Sequence, residues 1–294
     1  MRVLITGAQG QVGQELMNSV PNNWQVHGLG SNDLDISDSA QVMAAVKTLQ
    51  PLLIINAAAY TAVDKAESDS ERAHAVNQIG AENLAKAAQS LDCPLLHIST
   101  DYVFSGAQTQ PYTEHDIPAP NSVYGESKWL GEQAINEFCT QHIILRTSWV
   151  FGLHGNNFVK TMLRLGRERD ALSIVSDQVG GPTSARSIAQ ALWQIAQQYQ
   201  SSGDGPWGTY HFSGAPTCSW YDFAEEIFAQ AAALQLITKV PKLKPINTHD
   251  YPTPAQRPAY SVLDNTKLNE HLNIMQSHWK TELALMLQAL KDAQ

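Results

Sequence analysis

Short apolar runs and longer amphipathic windows exchange places along the first half of the chain. Val3-Leu4-Ile5 reads as a strand, followed by an amphipathic stretch from Gln11 to Ser19 and a second β-rich run at Gln25-Val26-His27. A helical window from Ala40 to Leu49 leads into Leu52-Leu53-Ile54-Ile55-Asn56, and a long one from Ala73 to Leu91 leads into Leu95-Leu96-His97-Ile98. A helix from about Val123 to Phe138 precedes a fifth strand at His142-Ile143-Ile144-Leu145-Arg146. Strands separated by helical windows predict βαβ units. Strands this uniformly apolar predict a parallel sheet covered on both faces. The pattern thus predicts an α/β fold, a Rossmann-like doubly wound parallel sheet.

From Trp149 onward the regularity weakens, with loops at Gly152 to Asn157, Gly180-Gly181-Pro182 and Ser201 to Gly208. Residues 1–148 are expected to form the dinucleotide-binding part, and residues 149–183 and 203–294 a smaller, discontinuous C-terminal cap. The helical stretch from Ser187 to Tyr199, within 184–202, is expected to pack back on the sheet. His278 to Leu290 places Leu283, Met286, Leu287 and Leu290 on one helical face, an ordinary amphipathic pattern.

Composition narrows the function classes. The 294 residues are 43% hydrophobic, enough for a real core and against disorder. A net charge of −9 opposes both a nucleic-acid backbone and an anionic membrane surface. Cys93, Cys139 and Cys218 have no metal or redox spacing and read as small hydrophobes in a reducing compartment. No segment approaches the ~20 apolar residues of a membrane span and no leader pattern opens the chain. A cytoplasmic protein is expected.

Gly7-Ala8-Gln9-Gly10-Gln11-Val12-Gly13 lies between the first strand and the first helix. There the backbone can approach a pyrophosphate and the helix N-terminus can face it. The bland alternative is a tight turn with close helix–strand packing. After the second strand, where a carboxylate would grip the adenosine ribose, Leu29-Gly30-Ser31-Asn32 offers no acid. This favours NADP(H) and leaves NAD(H) open. Asp35 and Ile36 follow; Asp35 either flanks the adenine or caps a helix entering at Ser37.

Tyr124 is the only tyrosine with a lysine four residues on, Lys128, which puts phenol and ammonium on one helical face. A phenol near pKa ~10 is a poor acid–base group at neutral pH unless a nearby cation lowers that value. Ser99-Thr100-Asp101-Tyr102 follows an apolar strand, at the edge where an open α/β sheet forms its ligand crevice. Thr100 is placed to bond both a reacting oxygen and the Tyr124 hydroxyl. Taken alone, the tyrosine–lysine pair would be an exposed helix pair of little worth; the three motifs together point to a catalytic site.

These motifs resemble the dTDP-4-dehydrorhamnose reductase family, of the extended short-chain dehydrogenases/reductases. The resemblance runs along the whole chain, through Leu4 to Gly13, Asn56 to Glu67, Ser99 to Phe104, Tyr124 to Lys128 and Arg146 to Gly152. It implies catalytic roles for Thr100, Tyr124 and Lys128, and a cofactor held on Gly7, Gly10, Gln11, Val12, Gly13, Asp35, Ile36, Ala57, Ala58, Tyr60 and Lys128. It implies Val63, Asp101, Tyr102 and Trp149 around the sugar, with Asn156, Phe158, Gln178, Thr183 and Arg257 toward the nucleotide. Asn77 is expected to steady the sheet. Arg257 has a solvated surface role as its alternative, and Trp149 a core role.

The resemblance implies reduction of a dTDP-4-keto-6-deoxy sugar at C4 by hydride from NAD(P)H, with Tyr124 as proton donor. Family members are associated with magnesium at a dimer contact; Glu15 is present, but Ala185-Arg186-Ser187-Ile188 supplies no carboxylate. No metal is therefore expected, and the chain should be a monomer or weak homodimer. Two other readings stay open: a nucleotide-sugar epimerase or dehydratase, and a non-catalytic dinucleotide-binding regulatory subunit.

Overall fold

The computed structural model describes residues 1–293. In chain order the elements are β1 (Arg2–Thr6), α1 (Gln11–Asn18), β2 (Gln25–Leu29), α2 (Ser39–Leu49), β3 (Leu53–Asn56), α3 (Val63–Ala66), α4 (Ser70–His74), α5 (Gly80–Ser90), β4 (Leu95–Thr100), α6 (Val123–Phe138) and β5 (His142–Thr147). They continue with β6 (Val150–Phe151), α7 (Phe158–Glu168), β7 (Ala171–Val175), β8 (Val179–Gly180), β9 (Thr183–Ser184), α8 (Ala185–Ser202), β10 (Gly208–His211), β11 (Cys218–Ser219), α9 (Trp220–Ala233), β12 (Lys242–Ile246), α10 (Thr266–Leu272) and α11 (Trp279–Asp292).

Six strands form one parallel sheet in the order β2-β1-β3-β4-β5-β10. Alternation along β1 sends Val3 and Ile5 to a core with Val12 and Leu16 of α1 and Ile188, Leu192 and Ile195 of α8. It sends Leu4 to the opposite core, with Val42 and Val46 of α2, Leu84 of α5 and Ile135 of α6. Both faces are therefore dry, which is why the strands read as unbroken apolar runs. Strand order reverses between β1 and β3, and the crevice above that point is where open α/β sheets take their ligands.

The long helix expected over Ala73 to Leu91 is interrupted: a π-helical turn at Ala75–Ile79 separates α4 from α5. Hydrophobic spacing does not register one extra residue in a turn.

The cap has its own core, in which Val159 and Met162 of α7, Phe223 and Ile227 of α9, and Leu283 and Leu287 of α11 meet. It carries the two-stranded pairs β7/β12, β8/β11 and β6/β9. Assigning all of 203–294 to the cap needs correction. β10, inside that stretch, pairs in parallel with β5 as the sixth strand of the main sheet, and Leu268 and Leu272 of α10 join the sheet core. A four-residue edge strand opening on glycine carries too little apolar pattern to be seen in sequence. Among the described residues no helix is long and apolar enough to cross a membrane.

Candidate active site

The turn after β1 is shaped by two of its glycines. Gly7 has φ +72°, and a Cβ on it would lie 2.4 Å from the Ala58 nitrogen; one on Gly13 would lie 2.1 Å from the Gly7 carbonyl oxygen. Both packing reasons for glycine are thus real. Gly10 closes the turn by donating its N–H to the Gly7 carbonyl at 2.9 Å and caps α1 with no side chain. The first N–H groups of α1 are left to a ligand, which is what a pyrophosphate requires, so these residues fit a dinucleotide. The Gln11 side-chain oxygen accepts from Asn157 at 3.0 Å, tying the cap to the start of α1.

At the end of β2, Asp33, just beyond the stretch read as lacking an acid, folds back so that its carboxylate accepts the Gly30 N–H at 3.0 Å. Asp35 accepts from the Ser37 hydroxyl at 2.6 Å and the Ser37 N–H at 3.0 Å. Those bonds, led by the hydroxyl and joined by Arg72, hold its carboxyl below the usual range. It does not cap a helix: Asp38 caps α2, accepting the Ala40 and Gln41 N–H groups. Ile36 is buried, and its carbonyl accepts from Asn83 at 2.9 Å.

After β3, the Ala58 N–H donates to the Asn56 side chain at 3.0 Å. Both backbone groups of Tyr60 bond the Asn77 side chain, at 2.8 and 3.0 Å. Asn77 sits in the π-helical turn and also donates to the Ser127 hydroxyl at 2.9 Å. One amide thus holds the loop carrying Ala57 to Tyr60 against α6.

Ser122 starts α6 by accepting the Gly125 N–H at 3.2 Å, and Tyr124 and Lys128 follow one turn apart. The Tyr124 ring packs edge-on against Tyr102 with centroids 5.5 Å apart, in a cluster with Tyr60 and Val63. The Thr100 hydroxyl donates to Asp101 Oδ1 at 3.0 Å and accepts the Tyr102 N–H at 3.2 Å. Burial pushes the Tyr124 phenol up to about 12; Thr100 opposes and Asp101 adds to this. Burial raises Asp101 to about 6 against the Ser261 and Thr100 hydroxyls. Its Oδ2 is buried without a hydrogen-bond partner among the described residues.

The expectation that Lys128 lowers the phenol is therefore corrected. The Lys128 nitrogen turns to the Ile98 carbonyl at 2.7 Å and His97 Nε2 at 3.0 Å. Burial brings Lys128 itself down to about 8, with Glu132 acting the other way. Tyr124 is held as a protonated acid.

The remaining candidates divide. Val63, Tyr102 and Asp101 lie with Tyr124. Trp149, with φ +48°, stacks on Trp220 at 3.5 Å and 7°. Phe158 lies 4.6 Å from Trp220, and Gln178 accepts from the Trp220 indole N–H at 3.1 Å. Asn156 is exposed on its loop. Thr183 is placed differently from the expectation: it is fully buried, donating to the Gly181 carbonyl at 3.0 Å and accepting the Gly214 N–H at 3.1 Å. It has no surface for a nucleotide. Arg257 is paired with Asp64 through both amino groups, at 3.2 and 2.9 Å, rather than free in solvent.

Sequence reading passed over His97, Trp220, Asp64 and Glu132. His97 was visible as a lone histidine in an apolar strand, and Glu132 as a carboxylate one turn beyond Lys128; Trp220 and Asp64 carry no local signal. Glu15 lies 4.0 Å from His154, and Arg186 lies 3.6 Å from Glu282. No group of three metal-ligating side chains occurs among the described residues.

A family model described as the RmlD substrate binding domain matches residues 1–292. A dTDP-4-dehydrorhamnose reductase of Aggregatibacter actinomycetemcomitans is 46% identical over 96% of this chain and 97% of its own. That of Escherichia coli K12 is 40% identical over 99% and 98%. A crystal structure of the Bacillus anthracis reductase in complex with NADP superimposes with a TM-score of 0.90 at 38% identity, covering 98% of this chain and 99% of that one. A UDP-glucose 4-epimerase of Thermus thermophilus, at 19% identity and a TM-score of 0.81, shares the fold.

Proposed function

The chain belongs to the dTDP-4-dehydrorhamnose reductase family, and on that premise we propose that it reduces the C4 ketone of dTDP-4-dehydro-β-L-rhamnose to dTDP-L-rhamnose with NADPH. The observation that carries the chemistry is the placement of the buried Tyr124 phenol beside Thr100, one helical turn from Lys128, where burial pushes the phenol up to about 12. The NADP complex of the B. anthracis relative supports the cofactor.

The sheet and its glycine turn hold the cofactor, through Gly7, Gly10, Gln11, Val12 and Gly13 and through Asp35, Ile36, Ala57, Ala58 and Tyr60. Bound NADPH supplies the hydride. Tyr124 gives its phenolic proton to the ketone oxygen as charge develops there. Thr100, whose hydroxyl proton goes to Asp101 at 3.0 Å, receives the phenol's hydrogen bond at rest and aims it at that oxygen. Lys128, as an ammonium, offsets the phenolate left behind. Val63, Asp101 and Tyr102 border the sugar; Trp149, expected there too, stacks on Trp220 and so stands with Phe158 and Gln178 on the cap, toward the nucleotide. Binding energy from that remote end orients the ketone.

Following NADPH absorbance with dTDP-4-keto-6-deoxy sugars, beside their UDP counterparts, tests the reading. Stoichiometric oxidation with the dTDP substrate is expected. Catalysis without net NADPH consumption would make the protein an epimerase or dehydratase, and no oxidation with any keto sugar would make it a binding subunit.

A further inference from the structure

Behind the active site a buried polar chain of Thr6, Asn56 and His97 leads to Lys128. The Thr6 hydroxyl donates to Asn56 Oδ1 at 2.7 Å, Asn56 Nδ2 lies 2.9 Å from His97 Nδ1, and His97 Nε2 lies 3.0 Å from Lys128 Nζ. All four residues are buried, so their protons must be matched among themselves and the nearby backbone.

The matching has one solution with every partner in place. The Ala58 N–H donates to Asn56 Oδ1 at 3.0 Å, which fixes the amide so that its NH2 faces His97. An amide NH2 only donates, so His97 Nδ1 must accept. A neutral imidazole has one N–H, which is then on Nε2 and aimed at Lys128. An ammonium has no lone pair to receive it. An amine does, and it still donates to the Ile98 carbonyl at 2.7 Å. A doubly protonated His97 fails on the same count, since its Nδ1–H would face the Asn56 NH2. Burial and Lys128 both hold His97 well below its ordinary value.

We infer that His97 is a positioning residue for the reduction: it fixes the Lys128 nitrogen as a neutral amine in the cofactor-free protein, so that Lys128 acquires its charge as the cofactor binds. The charged arrangement requires His97 protonated on Nδ1 and Asn56 turned over, which removes the acceptor of the Ala58 N–H. That N–H lies against the glycine turn, where a Cβ on Gly7 would come within 2.4 Å of it. One peptide therefore links the dinucleotide side of the turn to the charge on Lys128.

The groups facing this pair are few. Tyr124 and Glu132 flank Lys128 on its own helix, and His97 and the Ile98 carbonyl face it from β4. The Glu132 charge is matched by Arg146 of β5 at 2.6 Å. His142, at the start of β5, acts on His97, and Asp101 acts on Tyr124. Burial places Lys128 at about 8, within reach of the exchange between amine and ammonium.

The consequence for turnover rests on the reductase reading; the protonation state does not, and the test separates them. NADP+ is titrated into the protein at pH 8 in two buffers of different ionisation enthalpy, and the His97 ring nitrogens are observed by 15N NMR in the cofactor-free protein. The wild type should take up about half a proton or more per site, with His97 protonated on Nε2. His97→Gln offers Lys128 a carbonyl acceptor, so the ammonium persists at rest. Uptake should fall to near zero and the alkaline limb of kcat should move to higher pH. An Nδ1-protonated His97 in the wild type, or equal uptake in the two proteins, overturns the inference, and the tautomer measurement needs no variant to fold. Failure of the wild type to oxidise NADPH with any 4-keto sugar would instead remove the reductase reading.

Discussion

The Thr100 hydroxyl donates to Asp101 Oδ1 at 3.0 Å, so toward the Tyr124 phenol its oxygen can only accept. With Asp101 ionised, the phenol keeps its own proton until a better base, the forming alkoxide, replaces Thr100.

Asp101→Asn tests this relationship by two readouts. The folded value of Asp101, about 6, lies above the ordinary 3.8, so folding favours the protonated acid. That stabilisation is complete below pH ~4 and is lost as pH rises through ~6. Denaturation should find the variant matching the wild type near pH 4 and more stable than it, by on the order of 3 kcal/mol, at pH 7.5. Because the carboxylate raises Tyr124, its removal should also lower the pH at which the phenol ionises, read by ultraviolet difference absorbance against Tyr124→Phe.

Tyr124→Phe removes the proton donor and little else, since the ring keeps its packing against Tyr102 and Val63 and only the hydroxyl beside Thr100 is lost. We expect kcat to fall by about 10²- to 10⁴-fold, with NADP+ affinity within about threefold of wild type. Single-turnover kinetics with equilibrium binding separates the two quantities; turnover near the wild-type rate would exclude Tyr124 as the acid.

The main sheet was legible because both its faces are dry, and α6 was legible to the residue because its apolar spacing runs unbroken from Val123 to Phe138. The glycine turn and the tyrosine–lysine pair were legible because each depends on local spacing. Three things were not. The π-helical turn that seats Asn77 is one residue of register, invisible to periodicity. The sixth strand is a short edge with one neighbour. The orientation of Lys128 depends on His97, 31 residues away, and only the folded sheet shows that the nitrogen expected to act on Tyr124 turns to β4 at rest.

Trp220 was missed because its partners come from three separate segments. It stacks on Trp149, touches Phe158 and donates to Gln178. In Trp220→Ala the Trp149 indole loses a stacked neighbour worth about 1 kcal/mol, and Gln178 loses a donor. If this wall holds the nucleotide end of the substrate, KM for the dTDP-sugar should rise about tenfold while NADP+ affinity stays unchanged. An unaltered KM would place the ladder in cap packing alone.

Glu132→Gln probes the floor of the site. Glu132 is fully buried; it accepts from the Ser99 hydroxyl at 2.5 Å and is paired to Arg146 at 2.6 Å, whose guanidinium also lies 5.0 Å from the Phe104 ring. Neutralising one member of a buried pair leaves the other charged without compensation, a loss of about 3–5 kcal/mol that should appear as a lower midpoint in denaturant. Glu132 is also the group that raises Lys128 against burial, so the variant should hold Lys128 as an amine to lower pH. In refolded, active protein the alkaline limb of kcat should therefore shift down, opposite to the shift expected for His97→Gln. If both variants moved the limb the same way, Lys128 would not be the group it reports.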